Sequence, residues 1–417
     1  TPDVGTEQKQ INVRPGWVAG AGVEYAFAPH WSVQLEYLYS QFDRANIRFP
    51  SGAEPNSTLD FQQIRIGLNR RVDWPGSNSR TPKTDLTDPE SDRWEIHGQT
   101  TYLGQGYPAF RAPYTGTNSL TPARQYQATW SNSLYLNARL WEGGEVYYNP
   151  ELLQGFGLSD TVGLAGFSSG EAQKSNFPYP HYNTSRLYVR QTFGLGGEQE
   201  ELASGQQQLA RKVDANRLTV QAGKFSVGDV FDGNSYAKDT RRDFMNWSIW
   251  APGAFDYAAD RLGLTYGMTA ELNQRNWALR GGYFLMGAVS NSNNFDTQVF
   301  RRGQYVAELE TRYSLFSRPG ANSGSYRETL DNPALNLDIS LTRTGRPKFG
   351  YVVNVEQSVT DDIGLFGRWS WNNGKTEIMS FTDIDASLAL GTSIKGTTWG
   401  RSAATLGIAG ASHALSR

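Results

Sequence analysis

Apolar and polar residues alternate with a period of two along most of this chain, the spacing of β-strands with one apolar face. From Trp17 to Phe27, one face carries Trp17, Ala19, Ala21, Val23, Tyr25 and Phe27, and the other Val18, Gly20, Gly22, Glu24 and Ala26. Pro29-His30 marks a turn, after which Val33, Leu35, Tyr37 and Tyr39 alternate with Gln34, Glu36 and Ser40. A third run sets Ile64, Ile66 and Leu68 against Gln63, Arg65 and Asn69. Residues 73–92 break the pattern: they are polar, rich in Pro, Asp, Ser and Thr, and read as a linker. Alternation resumes at 94–104 and continues in 128–141, 186–193, 217–225, 262–272, 277–286, 304–315, 335–342, 350–357, 363–371, 384–394 and 402–410. In 128–141, for example, Trp130, Leu134, Leu136, Ala138 and Leu140 oppose Thr129, Ser131, Ser133, Asn137 and Arg139.

Length separates two all-β readings. Strands of soluble proteins average about 5–6 residues, whereas a strand tilted across a bilayer needs about 9–11. Several runs here reach ten residues or more, which favours a transmembrane barrel. A polar lumen-facing side also explains a mean hydropathy of -0.54 in a chain with 13% aromatics and 44 glycines. Aromatic residues gather at the ends of runs, among them Trp94, Trp141, Trp277, Tyr283, Tyr305, Trp369 and Trp399. Interfacial girdles would place them there, although aromatics also favour strands generally.

The remaining composition mostly excludes. Cys is absent, which removes disulfides and thiol chemistry. Four scattered His argue against a multi-His metal site. A formal charge of -2 gives no electrostatic footprint for nucleic acid. No apolar run is long enough for a membrane-spanning helix. No cofactor is called for. The basic residues are 30 Arg to 9 Lys, and the planar Arg fork suits a wet channel wall as well as ordinary surface charge.

Enzymatic motifs do not survive inspection. Gly166-Phe167-Ser168-Ser169-Gly170 matches a nucleophile elbow, but the sequel to Pro180 has no helical period. Asp229 to Asn234 offers oxygens at calcium-like spacing without the full twelve-residue loop. A glycosidase carboxylate pair cannot be located from spacing alone. The chain is therefore expected not to be an enzyme.

The segment Asp229–Asp260 is the most informative. It lacks alternation and mixes Asp232, Asn234, Asp239, Arg241, Arg242, Asp243 and Asn246 with Phe231, Tyr236, Phe244, Trp247, Trp250 and Phe255. Long segments of this kind are usually functional or disordered, and this one is too aromatic for disorder. In a channel-forming barrel it would fold inward and narrow the pore; the alternative is packing at the mouth. Aromatic faces beside Arg and carboxylates suit a sugar, whose C–H faces stack on rings and whose hydroxyls need donors and acceptors.

Gly223-Lys224-Phe225-Ser226, Asp229 through Asp239, Arg241, and Phe244-Met245-Asn246-Trp247 together resemble the signature of the OprB carbohydrate-selective porin family. Arg190 through Glu200, and Glu271-Leu272-Asn273-Gln274 before Trp277-Ala278-Leu279-Arg280, support the resemblance, which extends over roughly 93–417. It implies an antiparallel transmembrane β-barrel of about sixteen strands in the outer membrane of a Gram-negative bacterium. It also implies passive diffusion of monosaccharides or small oligosaccharides past Arg, carboxylate and aromatic groups. The residues expected at the constriction are Asp239, Arg241, Arg242, Asn246 and Trp247, with Arg190, Arg280 and Arg368 on the opposite wall. Outer-membrane lipid is the expected surrounding, and a homo-oligomer is compatible with it. The competing reading is a β-rich carbohydrate-binding or surface protein without a pore.

Two departures stand out. Twelve runs follow the linker, short of sixteen, and the chain stops at Ser416-Arg417 without a terminal aromatic strand. The expectation is that a few C-terminal strands are missing from this sequence. Residues 16–71 are similar to the tail of a small OmpA-like or opacity-type barrel, on Gly16-Trp17, Gly20 through Ala26, Trp31-Ser32-Val33, Glu36 through Tyr39 and Ile64 through Asn69. The organisation expected is thus part of a small barrel in 1–72, a linker in 73–92 and a porin barrel in 93–417. An alternative joins the three N-terminal strands to the others in one barrel.

Overall fold

A computed structural model describes residues 16–28, 31–46, 56–70, 93–112, 120–161, 169–172, 176–288, 292–296, 299, 303–315, 318–330, 347–374, 384–400 and 404–415. For the strands before residue 71 and for 320–330 it describes the backbone alone. The linker at 73–92, the run at 335–342 and Gly166-Phe167-Ser168 of the elbow motif lie outside these residues.

The chain divides into two compact units, Thr1–Thr84 and Asp85–Arg417. The first holds β1 (Gly16–Ala28), β2 (Trp31–Asn46) and β3 (Asn56–Arg70), paired antiparallel in that order as a sheet of their own. Among the described residues, the second is built on thirteen antiparallel strands. In chain order these are β4 (Trp94–Tyr107), β5 (Gln125–Trp141), β6 (Gly144–Gly155), β7 (Phe177–Gly194), β10 (Arg217–Phe225), β11 (Thr265–Gln274) and β12 (Trp277–Phe284). They continue as β13 (Gln304–Leu315), β14 (Arg318–Leu330), β15 (Pro347–Ser358), β16 (Ile363–Asn372), β17 (Ile384–Lys395) and β18 (Thr405–Leu415). A separate hairpin, β8 (Gln199–Leu202) and β9 (Arg211–Asp214), sits in the connection between β7 and β10. Each main strand pairs with its neighbour in sequence, a meander with β4 and β18 at its ends.

Two strands escape the alternation. In β6, Tyr147 and Leu153 share a face with Glu145, Asn149 and Glu151, and Pro150 argues against a central strand. β14 has almost no large apolar residue before its last position, so it carries no period to read.

The faces of the large sheet are inverted relative to a water-soluble protein. Trp130, Leu134, Leu187, Val189, Leu279, Leu309, Val353, Leu388 and Leu390 are exposed. Ser131, Ser133, Asn137, Glu145, Glu151, Gln221, Thr269, Asn273, Glu308, Asn354, Arg368 and Ser370 are buried. Register keeps the polar residues on one side from strand to strand. Asn137 stands opposite Tyr147, Glu145 opposite Arg190, Arg190 opposite Gln221, Glu271 opposite Arg280, Arg280 opposite Glu308 and Asn354 opposite Arg368. Because side chains alternate strictly, one residue of slippage would reverse this arrangement.

Connections also alternate in length. Glu142-Gly143 and Arg275-Asn276 suffice at one end of the sheet, whereas the other end carries 156–176, 226–264 and 285–303. Exposed aromatics flank both ends, with Trp94, Trp141, Trp277 and Tyr313 near the short turns and Tyr126, Tyr182, Tyr266 and Tyr305 near the long connections.

Candidate functional site

The connection 226–264, between β10 and β11, lies against the polar face of the sheet. Its first turn is held by Asp229, whose carboxylate accepts from Arg186 Nε and Nη2 of β7, both at 2.7 Å. That carboxylate is therefore already engaged by a cation. Among the described residues, no group of three or more His, Asp or Glu side chains is placed to hold a metal ion. At Asp232 the backbone enters the left-handed region, with φ of 59°, where Asp is one of the few non-glycine residues tolerated. The Asp232 amide donates to Glu308 Oε2 at 2.7 Å. Its carboxylate receives Arg368 Nε at 3.1 Å and Asn354 Nδ2 at 2.9 Å.

Downstream, Asn234 Oδ1 accepts from the amides of Tyr236 and Ala237, and Ser235 donates to Glu356 of β15 through both its amide and its hydroxyl. A single helical turn, α1 (Trp247–Trp250), is capped by Asn246, whose Oδ1 accepts from the Ser248 amide at 3.0 Å. The Ile249 carbonyl accepts from Arg368 Nη1 at 2.7 Å. The Ala254 amide donates to Ser370 Oγ, the Ala258 amide donates to Gln304 Oε1, and Lys348 Nζ pairs with Asp256 at 3.0 Å. Polar groups on β13, β15 and β16 thus satisfy the irregular backbone of the segment, which would otherwise be costly to bury.

The segment's rings pack beneath this frame. Phe231, Trp247, Phe255 and Tyr257 are buried with Tyr147, Tyr188, Phe225 and Phe284 of the strands. The Trp247 and Tyr257 rings stack at 5.9 Å, and Phe231 meets Phe284 edge-on at 6.0 Å. Close approach is possible where the facing strand lacks a side chain. A Cβ at Gly364 of β16 would stand 2.1 Å from the Tyr236 ring, and one at Gly407 of β18 would stand 2.8 Å from Phe244.

The five residues of the segment singled out from the sequence have different surroundings. Arg241 pairs with Glu171 at 2.9 Å, each side chain nearly withdrawn from solvent. Burial acts to lower the Arg241 pKa, but the adjacent Glu171 carboxylate overcomes this and raises it. Asp239 accepts from the Arg241 amide and lies 3.5 Å from Arg242, whose side chain is 77% exposed. Asn246 caps α1, while Trp247 is buried in the aromatic cluster. Burial also lowers the pKa of Lys238, whose Nζ donates to the carbonyls of Phe231 and Asp232.

The three strand arginines all lie on the polar face, already engaged. Arg280 is held by Glu271, by Glu308 at 2.6 Å and by Glu310 at 2.7 Å. Arg368 is 1% exposed beneath the segment. Glu308 and Asp232 link these two arginines in one network. Arg190 lies apart, donating to Gln221 Oε1 and lying 4.7 Å over the Tyr147 ring.

Open space lies elsewhere. A cavity of about 690 Å³ is lined by Tyr236, Glu310, Arg312, Tyr313 and Glu356. A second, of about 660 Å³, shares Ser235 and Tyr236 and adds Arg242, Asp243, Asp361 and Lys395. Of these residues only Arg242 is among those expected at the constriction; Tyr236 and Asp243 are named in the sequence only as members of the segment. Alternation puts Glu310, Arg312 and Glu356 on the polar face, but it does not say which polar residues the segment leaves uncovered.

Comparison with known proteins accords with this architecture. The family described as carbohydrate-selective porin, OprB family, matches residues 117–417. The family described as outer membrane protein beta-barrel domain matches residues 4–71. The high-pH structure of Pseudomonas putida OprB is similar over 78% of this chain and 76% of its own, at 14% identity and a TM-score of 0.52. At that identity the likeness speaks to the fold alone. The 31 kDa outer-membrane immunogenic proteins of Brucella melitensis and Brucella suis are each 36% identical over 56 residues. The match spans 13% of this chain and 23% of each relative, so the chain covers about a quarter of the length of these curated relatives.

Proposed function

The chain belongs to the OprB family of carbohydrate-selective porins, and from that premise we propose that it lets small sugars diffuse down their gradient through a water-filled lumen. Its fold is an antiparallel β-barrel of outer-membrane type, and its place is the outer membrane of a Gram-negative bacterium. The observation that carries the reading is the inverted sheet, apolar outward and polar inward, with 226–264 hydrogen-bonded across the polar side. A bilayer tolerates such irregular backbone only where protein or a watery cavity surrounds it.

On this reading the solute meets Tyr236, Asp239, Arg242, Asp243, Glu310, Arg312 and Glu356. Arg241, Asn246, Trp247 and Arg368 shape the segment that presents them. Arg190 and Arg280 complete the charged wall. No covalent chemistry is assigned to any of them. A hydrogen bond to sugar in a wet pore is worth only about 0.5–1.5 kcal/mol, because water competes. Binding is therefore loose and spread over several groups, as a transport site needs if the solute is to leave again. Outward Leu and Val face outer-membrane lipid. Residues 4–71, which match an outer-membrane β-barrel domain, lie in a unit of their own.

Reconstituted in planar bilayers, the protein should give ion-conducting steps that small sugars partly block. Absence of conductance would sink the porin reading. The competing reading, a sugar-binding protein without a pore, requires it to leave the membrane fraction without detergent.

A further inference from the structure

One connection at the short-turn end does not behave as a turn. Residues 195–216 join β7 to β10, where Glu142-Gly143 and Arg275-Asn276 suffice for other pairs. They form the β8–β9 hairpin, whose tip, 203–210, returns to the polar face of the large sheet. Ser204 Oγ donates to Glu95 Oε2 at 2.5 Å and lies 3.1 Å from His97 Nε2. Gln206 Nε2 donates to Gln99 Oε1 at 2.6 Å. The amide of Ala210 donates to Glu95 Oε1 at 2.8 Å. The carbonyls of Gly205, Gln207 and Ala210 accept from Asn137, Arg190 and Arg139. Arg211, at the base of the tip, pairs with Glu145 at 2.9 Å and donates to Thr192. Leu209 is wholly buried.

These partners belong to β4, β5, β6 and β7; 226–264 also reaches β6 and β7, through Tyr147, Leu153, Arg186 and Tyr188, but its hydrogen bonds to strands lie mostly on β13, β15 and β16. The cavities lie beside β13 through β18. The two inserted pieces therefore enter from opposite ends of the sheet and occupy different parts of its polar face.

We propose that the tip 203–210 is a second constriction, a fixed stop on the short-turn side that fills the lumen beneath β4–β7. It confines solute to the path along β13–β18, and so sets the upper size of sugar that passes. This rests on the porin reading. In outer-membrane barrels the short turns face the periplasm, so the stop stands at the exit, after the groups presented by 226–264.

The test uses the protein in planar bilayers and in liposomes challenged with glucose oligomers of increasing length. Removal of Ser204–Gln208 should at least double the single-channel conductance and admit longer oligomers. Should that variant fail to fold, Glu95→Ala combined with Arg211→Ala releases the tip without shortening the chain, and the same gain is expected. The chain has no Cys, so Gln99→Cys and Gln206→Cys, whose side chains now meet only at their ends, can be joined by a short bifunctional methanethiosulfonate linker that pins the tip near where it rests without the close approach of a direct disulfide. Linked and reduced forms of this variant should conduct equally. Unchanged conductance and size limit on releasing the tip, in a channel whose parent conducts, would overturn the stop alone. A fall in conductance on linking would mean that the tip normally swings clear, which also overturns it. A parent protein that conducts nothing would overturn the porin reading and the stop together.

Discussion

Arg368 of β16 donates from Nε to Asp232 of the inserted segment at 3.1 Å, with the two side chains 1% and 3% exposed. A charge pair so far from water is held by its neighbours as well. Asn354 adds a second donor to Asp232, and the Ile249 carbonyl accepts from the far side of the guanidinium. Removing one partner strands the other. Arg368→Met should cost about 3–5 kcal/mol, read as a lower urea midpoint in detergent and as noisier open-channel current. Combining it with Asp232→Asn should recover part of that loss, because no uncompensated charge then remains.

Arg241 and Glu171 act as a clasp between two connections, whereas Arg242 stands in the open. Arg241→Ala should weaken sugar block of the ion current ~10-fold, about 1.4 kcal/mol, with the barrel still folded. Glu171→Ala should do the same, since either change opens the clasp. Arg242→Ala removes one competed hydrogen bond, worth ~0.5–1.5 kcal/mol, and should weaken block without adding current noise. If Arg241→Ala leaves sugar affinity untouched, the segment does not set selectivity.

Leu279 and Leu309 face each other across β12 and β13, both about half exposed. In lipid, Leu309→Arg should destabilise the folded protein by ~2–4 kcal/mol near the bilayer midplane. In a water-soluble protein the same surface change would fall within about 0.5 kcal/mol of neutral. Urea titration in lipid vesicles separates the two cases.

Tyr236 lies over Gly364 with no room for a β-carbon. Gly364→Val should push the ring into the cavity it lines and lower conductance. Gly364→Val combined with Tyr236→Ala should restore it. A single-variant current equal to the parent's would show that the ring has another place to go.

Much of this was legible in the sequence because a two-residue period survives any amount of tertiary detail. Eleven of the twelve runs after the linker overlap strands of the large sheet, and the twelfth, 335–342, lies outside the described residues. What period could not supply was any strand whose faces are not chemically distinct. β6 mixes Tyr147 and Leu153 into its polar side, and β14 is nearly all small or polar. The three N-terminal strands pair with one another as a three-stranded sheet.

The inward course of 226–264 was readable from its rings and charges, but the role of each residue was not. Trp247 and Arg368 look alike in sequence to pore-lining groups. Only packing reveals that they are sealed in, while Glu310, Arg312 and Glu356, unremarkable members of alternating runs, border open space. The tip at 203–210 carried no signal, because Ser, Gly and Gln in a row read as an ordinary turn.

The anchoring of 226–264 has a consequence for the order of assembly. The segment leaves the ribosome soon after β10, yet Asp232 must wait 136 positions for Arg368, and the Ala254 amide 116 positions for Ser370. Contacts so distant in sequence are slow to form, because chain entropy is spent before they return anything. Until β16 arrives, the segment holds aromatic side chains and unpaired amides that tempt other chains. A chaperone that shields this stretch specifically, and an insertion process that admits the sheet and its filling together, would then be requirements of the architecture itself.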